Sequence, residues 1–87
     1  MRTMKDLCQE ALDVQDACNL SGVVHSFSRT ITELRTLVEQ EPGFSTDKLN
    51  RHPVCVMFSS KIASLTGSEG YTNFKEAYAF CQQQAAK

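Results

Sequence analysis

Cys18-Asn19-Leu20-Ser21-Gly22-Val23-Val24-His25-Ser26-Phe27-Ser28-Arg29 joins two helical patterns and sets Asn, Ser, His and Arg among apolar residues of the kind that form cores. Asn and Ser compete with helical hydrogen bonds through their own side chains, and Gly costs about 1 kcal/mol inside a helix. Asn19-Leu20-Ser21-Gly22 is therefore expected to interrupt the helix, with a continuous, locally bent helix as the alternative. Ser21 is then the natural N-cap of the helix that follows, with Gly22 just inside it. Asn50-Arg51-His52-Pro53 repeats the same mixture further along.

Upstream, Met4, Leu7, Cys8, Ala11, Leu12, Val14 and Cys18 recur at helical spacing and predict a first helix starting after Thr3. Thr3-x-x-Asp6 resembles a capping box with Asp in place of Glu, and Asp6 and Glu10 lie toward the positive end of the helix dipole. Gln15 falls within the apolar face. It reads either as a seam-edge side chain whose amide reaches water or as a polar contact across an interface or into a pocket. Downstream, Val23, Val24, Phe27, Ile31, Leu34 and Val38, with Leu37 at the edge, form the core stripe of a second helix ending near Gln40, before Pro42-Gly43. At ~100° per residue, Ser21, His25, Ser28, Arg29, Thr32 and Arg35 gather on a different, contiguous face.

Further on, Ser45 or Thr46 can cap a single turn at Asp47–Asn50, with Phe44 tucked back onto the bundle. Pro53 biases His52 away from the helical region and suits the first position of a third long helix reaching about Thr66. Val54, Cys55, Phe58, Ile62 and Leu65 share a face of that helix, while Val56 and Met57 lie off it. It is expected to sit centrally, against another copy of the chain, or both. Gly67-Ser68-Glu69-Gly70 is a loop. A fourth long helix is expected from Thr72 to about Gln84, with Tyr71, Phe74, Ala77, Tyr78 and Cys81 inward and Phe80 on the opposite side. The fold class is all-α, a single domain over residues 1–87 built as a bundle of about four helices.

At 87 residues the chain lies near the lower end of what folds alone. With aromatics at 8% and no Trp, its core is mostly aliphatic. Such cores leave only ~3–5 kcal/mol of stability, so a homo-oligomer is expected. A net charge of −1 and the absence of any run of like charges argue against duplex nucleic acid, which demands many phosphate contacts. No stretch is apolar enough to span a membrane, and no signal peptide is visible, which together point to the cytoplasm. Cys8, Cys18, Cys55 and Cys81 form no C-x-x-C and fit no zinc spacing. All four fall on apolar faces and read as buried, reduced thiols, and neither metal nor cofactor is expected.

For an enzyme, the sequence offers little. His25 and His52 could each act as a base, but no nucleophile frame surrounds a Ser or Cys, and Asp13 and Asp16 point outward. Individually the polar residues have local explanations: Arg29 pairs with Glu33 and Arg51 with Asp47 at i+4, His25 bonds a nearby backbone or hydroxyl group, and His52 braces its loop. Together, Asn19, Ser21, His25, Ser28, Arg29, Arg51 and His52 suit an anionic ligand. Ser21 and the N–H groups of the second helix would receive phosphate, and Arg29 and Arg51 would supply charge. His25 and His52 would donate hydrogen bonds or stack, and Asn19 would read a polar edge. The two helix N-termini would frame one pocket, within a chain or between subunits.

The Cys18–Phe27 stretch, Asn50-x-His52-Pro53 followed by Phe58, Ala63-Ser64-Leu65-Thr66-Gly67, and Ala77-Tyr78-x-x-Cys81 together resemble a family of short hypothetical proteins of phages and mobile elements. The resemblance covers most of the chain and implies an origin rather than a mechanism. Short phage accessory proteins often counter host defence. Some sequester cyclic-nucleotide or ADP-ribose-type immune signals in pockets of homo-oligomers, and others block a host protein, as anti-CRISPR proteins do. By that analogy and the polar patch, the chain is expected to sequester a small anionic signal without turning it over. The alternative is a protein-blocking inhibitor acting through exposed apolar residues such as Phe80 and Met57.

Overall fold

The computed structural model describes residues 2–68 and 73–87. Among them the chain is helical throughout: α1 (Met4–Asp13), a 3-10 turn (Val14–Asp16), α2 (Leu20–Val38), a short α3 (Thr46–Asn50), α4 (Pro53–Leu65) and α5 (Phe74–Ala85). The all-α bundle expected from periodicity is the fold observed. Start and stop signals account for most boundaries. Thr3 caps α1 in a reciprocal box with Asp6: the Asp6 N–H donates to the Thr3 hydroxyl at 3.3 Å, and the Thr3 N–H to the Asp6 carboxylate at 2.9 Å. The Ser45 hydroxyl caps α3 by accepting from the Lys48 N–H. Gly43, at φ 78°, supplies the left-handed residue that reverses the chain after α2.

The interruption after α1 comes earlier than Asn19. α1 stops at Asp13 because α4 grips the following turn. The Gln15 amide donates to the Ala11 carbonyl at 3.1 Å and the Met57 carbonyl at 3.3 Å, and Lys61 Nζ donates to the Gln15 carbonyl at 2.9 Å. Gln15 is thus an intrachain brace. The N-cap of α2 is Asn19 rather than Ser21: Asn19 Oδ1 accepts from the Gly22 N–H at 3.0 Å, placing Ser21 inside the first turn. Asn and Ser cap about equally well, so position decides between them.

α4 is the central helix. It packs against α1, α2, α3 and α5, and Val54 through Phe58 are all buried. The apolar residues off its main stripe, Val56 and Met57, are therefore covered within one chain, and Met57 is not available to a partner. The most extensive helix pair is α1 with α5, followed by α4 with α5. Phe27 of α2 stacks on the buried Phe58 of α4, with ring centroids 5.2 Å apart and 8° between planes. That pairing adds to the area term of burying both rings.

Helix rotation differs from expectation in two places. The buried row of α2 runs through Val23, Thr30, Leu34 and Val38. Val24, about 100° from that row's centre, is 42% exposed, while Thr30 is fully buried. In α5 the buried positions are Ala77 and Cys81. That rotation brings Phe80 partly into the core and leaves Tyr78 exposed, the reverse of the expected arrangement. Three cysteines are buried as expected, but Cys18 is exposed in the α1–α2 connection. Tyr71 and the expected start of the last helix at Thr72 lie outside the described residues. No described helix is long and apolar enough to cross a membrane.

Candidate functional site

The polar residues of the α1–α2 region separate into an internal network and an exposed face. Glu10 of α1 is the centre of the network. Its carboxylate accepts from Arg2 Nη1 at 2.5 Å, Arg29 Nη2 at 3.2 Å, the Thr30 hydroxyl at 2.9 Å and the Ser26 hydroxyl. Arg2 turns its other donors to Glu33, with Nη2 at 2.6 Å and Nε at 3.0 Å from the same carboxylate oxygen. Burial pushes the Glu10 carboxyl up. The bonds from Ser26 and Thr30, with the charges of Arg2 and Arg29, outweigh that effect and hold it below the usual carboxylate range. Glu33 is likewise held low, first by its bond from Arg2. Two arginines and two glutamates cancel, so this corner of the protein carries no net positive field.

Arg29 therefore pairs with Glu10 rather than with Glu33 at i+4, because Arg2 occupies Glu33. Nothing in helical spacing pointed to Arg2. The one signal in the sequence was that Glu10 borders the core stripe of α1 with no cation three or four residues away to satisfy it.

The exposed face lies beside this network on the first half of α2. Ser21, His25, Ser28 and Thr32 follow one another at i, i+4, i+7 and i+11, and all are exposed. The Thr32 hydroxyl donates back to the Ser28 carbonyl at 3.0 Å. Alongside runs an apolar ridge: Leu20 and Val24, 38% and 42% exposed, then the half-buried Phe27 and Ile31. Arg29 borders the face with its side chain 62% exposed. Asn19 sits at its end with Oδ1 committed to the cap, so only its amide nitrogen can reach outward.

Arg51 and His52 are not part of this face. Arg51 pairs with Asp47 at 3.2 Å, as the i+4 rule suggests, and lines a depression with Asn73, Glu76 and Phe80. His52 is the N-cap of α4: its Nδ1 accepts from the Val54 N–H at 3.2 Å, and its ring meets the edge of Phe80 at 5.7 Å. Burial lowers its pKa, opposed by the charge of Glu41. His52 borders a cavity with Glu41, Phe44 and Lys48, whereas Arg29 shares a depression with Arg2, Asp6 and Glu33. The described residues thus place the two polar stretches in separate hollows, and the single pocket framed by both helix N-termini does not form within one chain.

Among the described residues, no group of His, Cys, Asp and Glu is arranged to hold a metal ion. In comparisons with protein-family models, curated proteins and solved structures, nothing matches the chain.

Proposed function

We propose that the chain is a non-enzymatic protein-binding module whose recognition face is the outer side of α2 from Asn19 to Thr32. One observation carries this reading: Leu20 and Val24 stand exposed one turn apart, beside the hydroxyl and imidazole groups of Ser21, His25 and Ser28. An apolar strip with a polar border on a rigid helix is the composition of an interface centre and rim. Leu20, Ser21, Val24, His25 and Ser28 are all exposed, which suits a protein surface better than the enclosure a small molecule needs. Given the resemblance to phage and mobile-element proteins, the partner is a host protein whose activity the chain blocks. Self-association, expected from the chain's size, would use the same strip.

The test is affinity capture from a bacterial lysate with the wild-type chain and with Val24→Asp. Position 24 is already exposed, so the variant is expected to stay folded and to lose whichever protein the wild type enriches. Equal capture by both, or no enrichment by the wild type, refutes the reading.

A second reading, sequestration of a small anionic nucleotide-type signal, is favoured by Arg29, whose guanidinium makes a single bond to Glu10 and stays largely open beside His25. Thermal-shift measurements with cyclic dinucleotides and ADP-ribose derivatives separate the two. Ligand at 100 times its Kd adds about 2.7 kcal/mol, a rise of about 10 °C or more for a domain this size. An unshifted midpoint leaves the protein-binding reading standing.

A further inference from the structure

Cys8 on α1 and Cys81 on α5 are both fully buried within the most extensive helix pair of the fold. Their buried neighbours are small, with Ala11 one turn after Cys8 and Ala77 one turn before Cys81. Small side chains at a crossing let helix axes approach closely. Lys5 Nζ donates to the Lys87 carbonyl, tying the start of α1 to the residue that ends the chain after α5. The two helices therefore run antiparallel, which brings the early turns of α1, where Cys8 lies, alongside the later turns of α5, where Cys81 lies. Both thiols belong to the buried core between these two helices, near enough for each to perturb the other's ionisation.

We propose that Cys8 and Cys81 are a redox site, closing to a reversible disulfide under a peroxide and fastening the last helix to the first. The proposal is independent of the recognition face. Cys8 is the attacking thiol, since the Cys81 S–H stabilises its thiolate and draws it below the ordinary thiol range, while Cys81 itself is pushed up. The Cys8 thiolate attacks one oxygen of hydrogen peroxide; an S–O bond forms, the O–O bond breaks, and hydroxide leaves and takes up the proton that Cys8 released. Cys81 then attacks the Cys8 sulfenic sulfur, the S–S bond forms, and the sulfenic oxygen leaves as water with the Cys81 proton. The two sulfurs are oxidised together, and the peroxide is reduced to water. Access requires α5 to lift from α1, since both thiols are closed to solvent in the bundle. Cys55, on α4, is pushed up to about 11 by burial and is the poorer nucleophile.

The experiment uses the full chain carrying Cys18→Ser, which removes the exposed competing thiol. After hydrogen peroxide treatment, remaining thiols are alkylated and the protein is mapped by non-reducing peptide mass spectrometry. The expected result is a Cys8–Cys81 cross-linked peptide and a thermal midpoint raised by roughly 10 °C, because the bond closes nearly the whole chain into a loop, with both effects reversed by dithiothreitol. A bridge through Cys55, a sulfinic acid at Cys8 without a bridge, or a lowered midpoint in the bridged protein would each overturn the assignment. Failure to bridge even in urea just below the unfolding midpoint would overturn it as well.

Discussion

Glu10→Gln tests the network at its centre. The substitution keeps the shape and one acceptor oxygen but removes the charge that faces Arg2, Arg29, Ser26 and Thr30. The Arg2 pair, with both side chains about a fifth exposed, contributes most. Discounted for solvent screening, it is worth about 1 kcal/mol. Turning two charge-assisted hydroxyl bonds into neutral ones loses about 0.5 kcal/mol each. Arg29, at 62% exposure, adds little. The sum is about 2 kcal/mol, or a midpoint lowered by about 8–16 °C in a domain of this length. The sign of the pH dependence follows from the lowered pKa of Glu10. An unfolded glutamate titrates near 4.5 and the folded one below it. Its stabilisation is complete above that value and is lost as the pH falls through the folded pKa. The gap between wild type and Glu10→Gln should therefore be widest at pH 6–7 and narrow as the pH falls below the unfolded value and the wild-type carboxyl takes up its proton. Thermal melts of both proteins across that range are the assay. A gap under about 2 °C at neutral pH, or one that persists unchanged into acid, would refute the reasoning.

Arg2→Ala should cost about 1–2 kcal/mol in urea unfolding, while Arg29→Ala and Arg51→Ala, in largely exposed pairs, should each stay within about 0.5 kcal/mol; equal losses in all three would remove the distinction between network and surface. His52 caps α4 only while Nδ1 is unprotonated. With its folded pKa below the unfolded value of 6.5, wild-type stability should be full above that pH and fall below it, whereas His52→Asn, which keeps a cap, should show a flatter slope between pH 7.5 and 5.5. Gly22→Ala should stabilise by about 0.5–1 kcal/mol, because a Cβ there meets nothing nearer than the Asn19 side chain at 3.8 Å; a lowered urea midpoint would show that α2 needs glycine in its first turn.

Local signals carried much of the fold. The Thr3–Asp6 box, the Ser45 cap and Pro53 at the head of α4 are contacts within three or four residues, and sequence spacing alone exposes them. Helix rotation is a tertiary property. Thr30 took a core position from Val24 because its hydroxyl bonds Glu10, twenty residues away, and no stripe count contains that bond. Phe80 turned inward against His52 and Tyr78 outward for the same kind of reason. The candidate site divided along similar lines. Ser21, His25 and Ser28 share a face as helical spacing requires, but the charge balance around Arg29 depends on Arg2, a residue with no periodic context. Whether Arg51 and His52 join that face depends on how α3 and α4 pack, and the packing separates them.

The most direct measurement of the recognition face is amide hydrogen exchange on the isolated chain and on its complex with the captured protein. New protection should concentrate in peptides covering Asn19 to Thr32, with α5 and the Arg51–His52 connection unchanged. Protection centred on α5, with the first half of α2 exchanging as in the free chain, would contradict it.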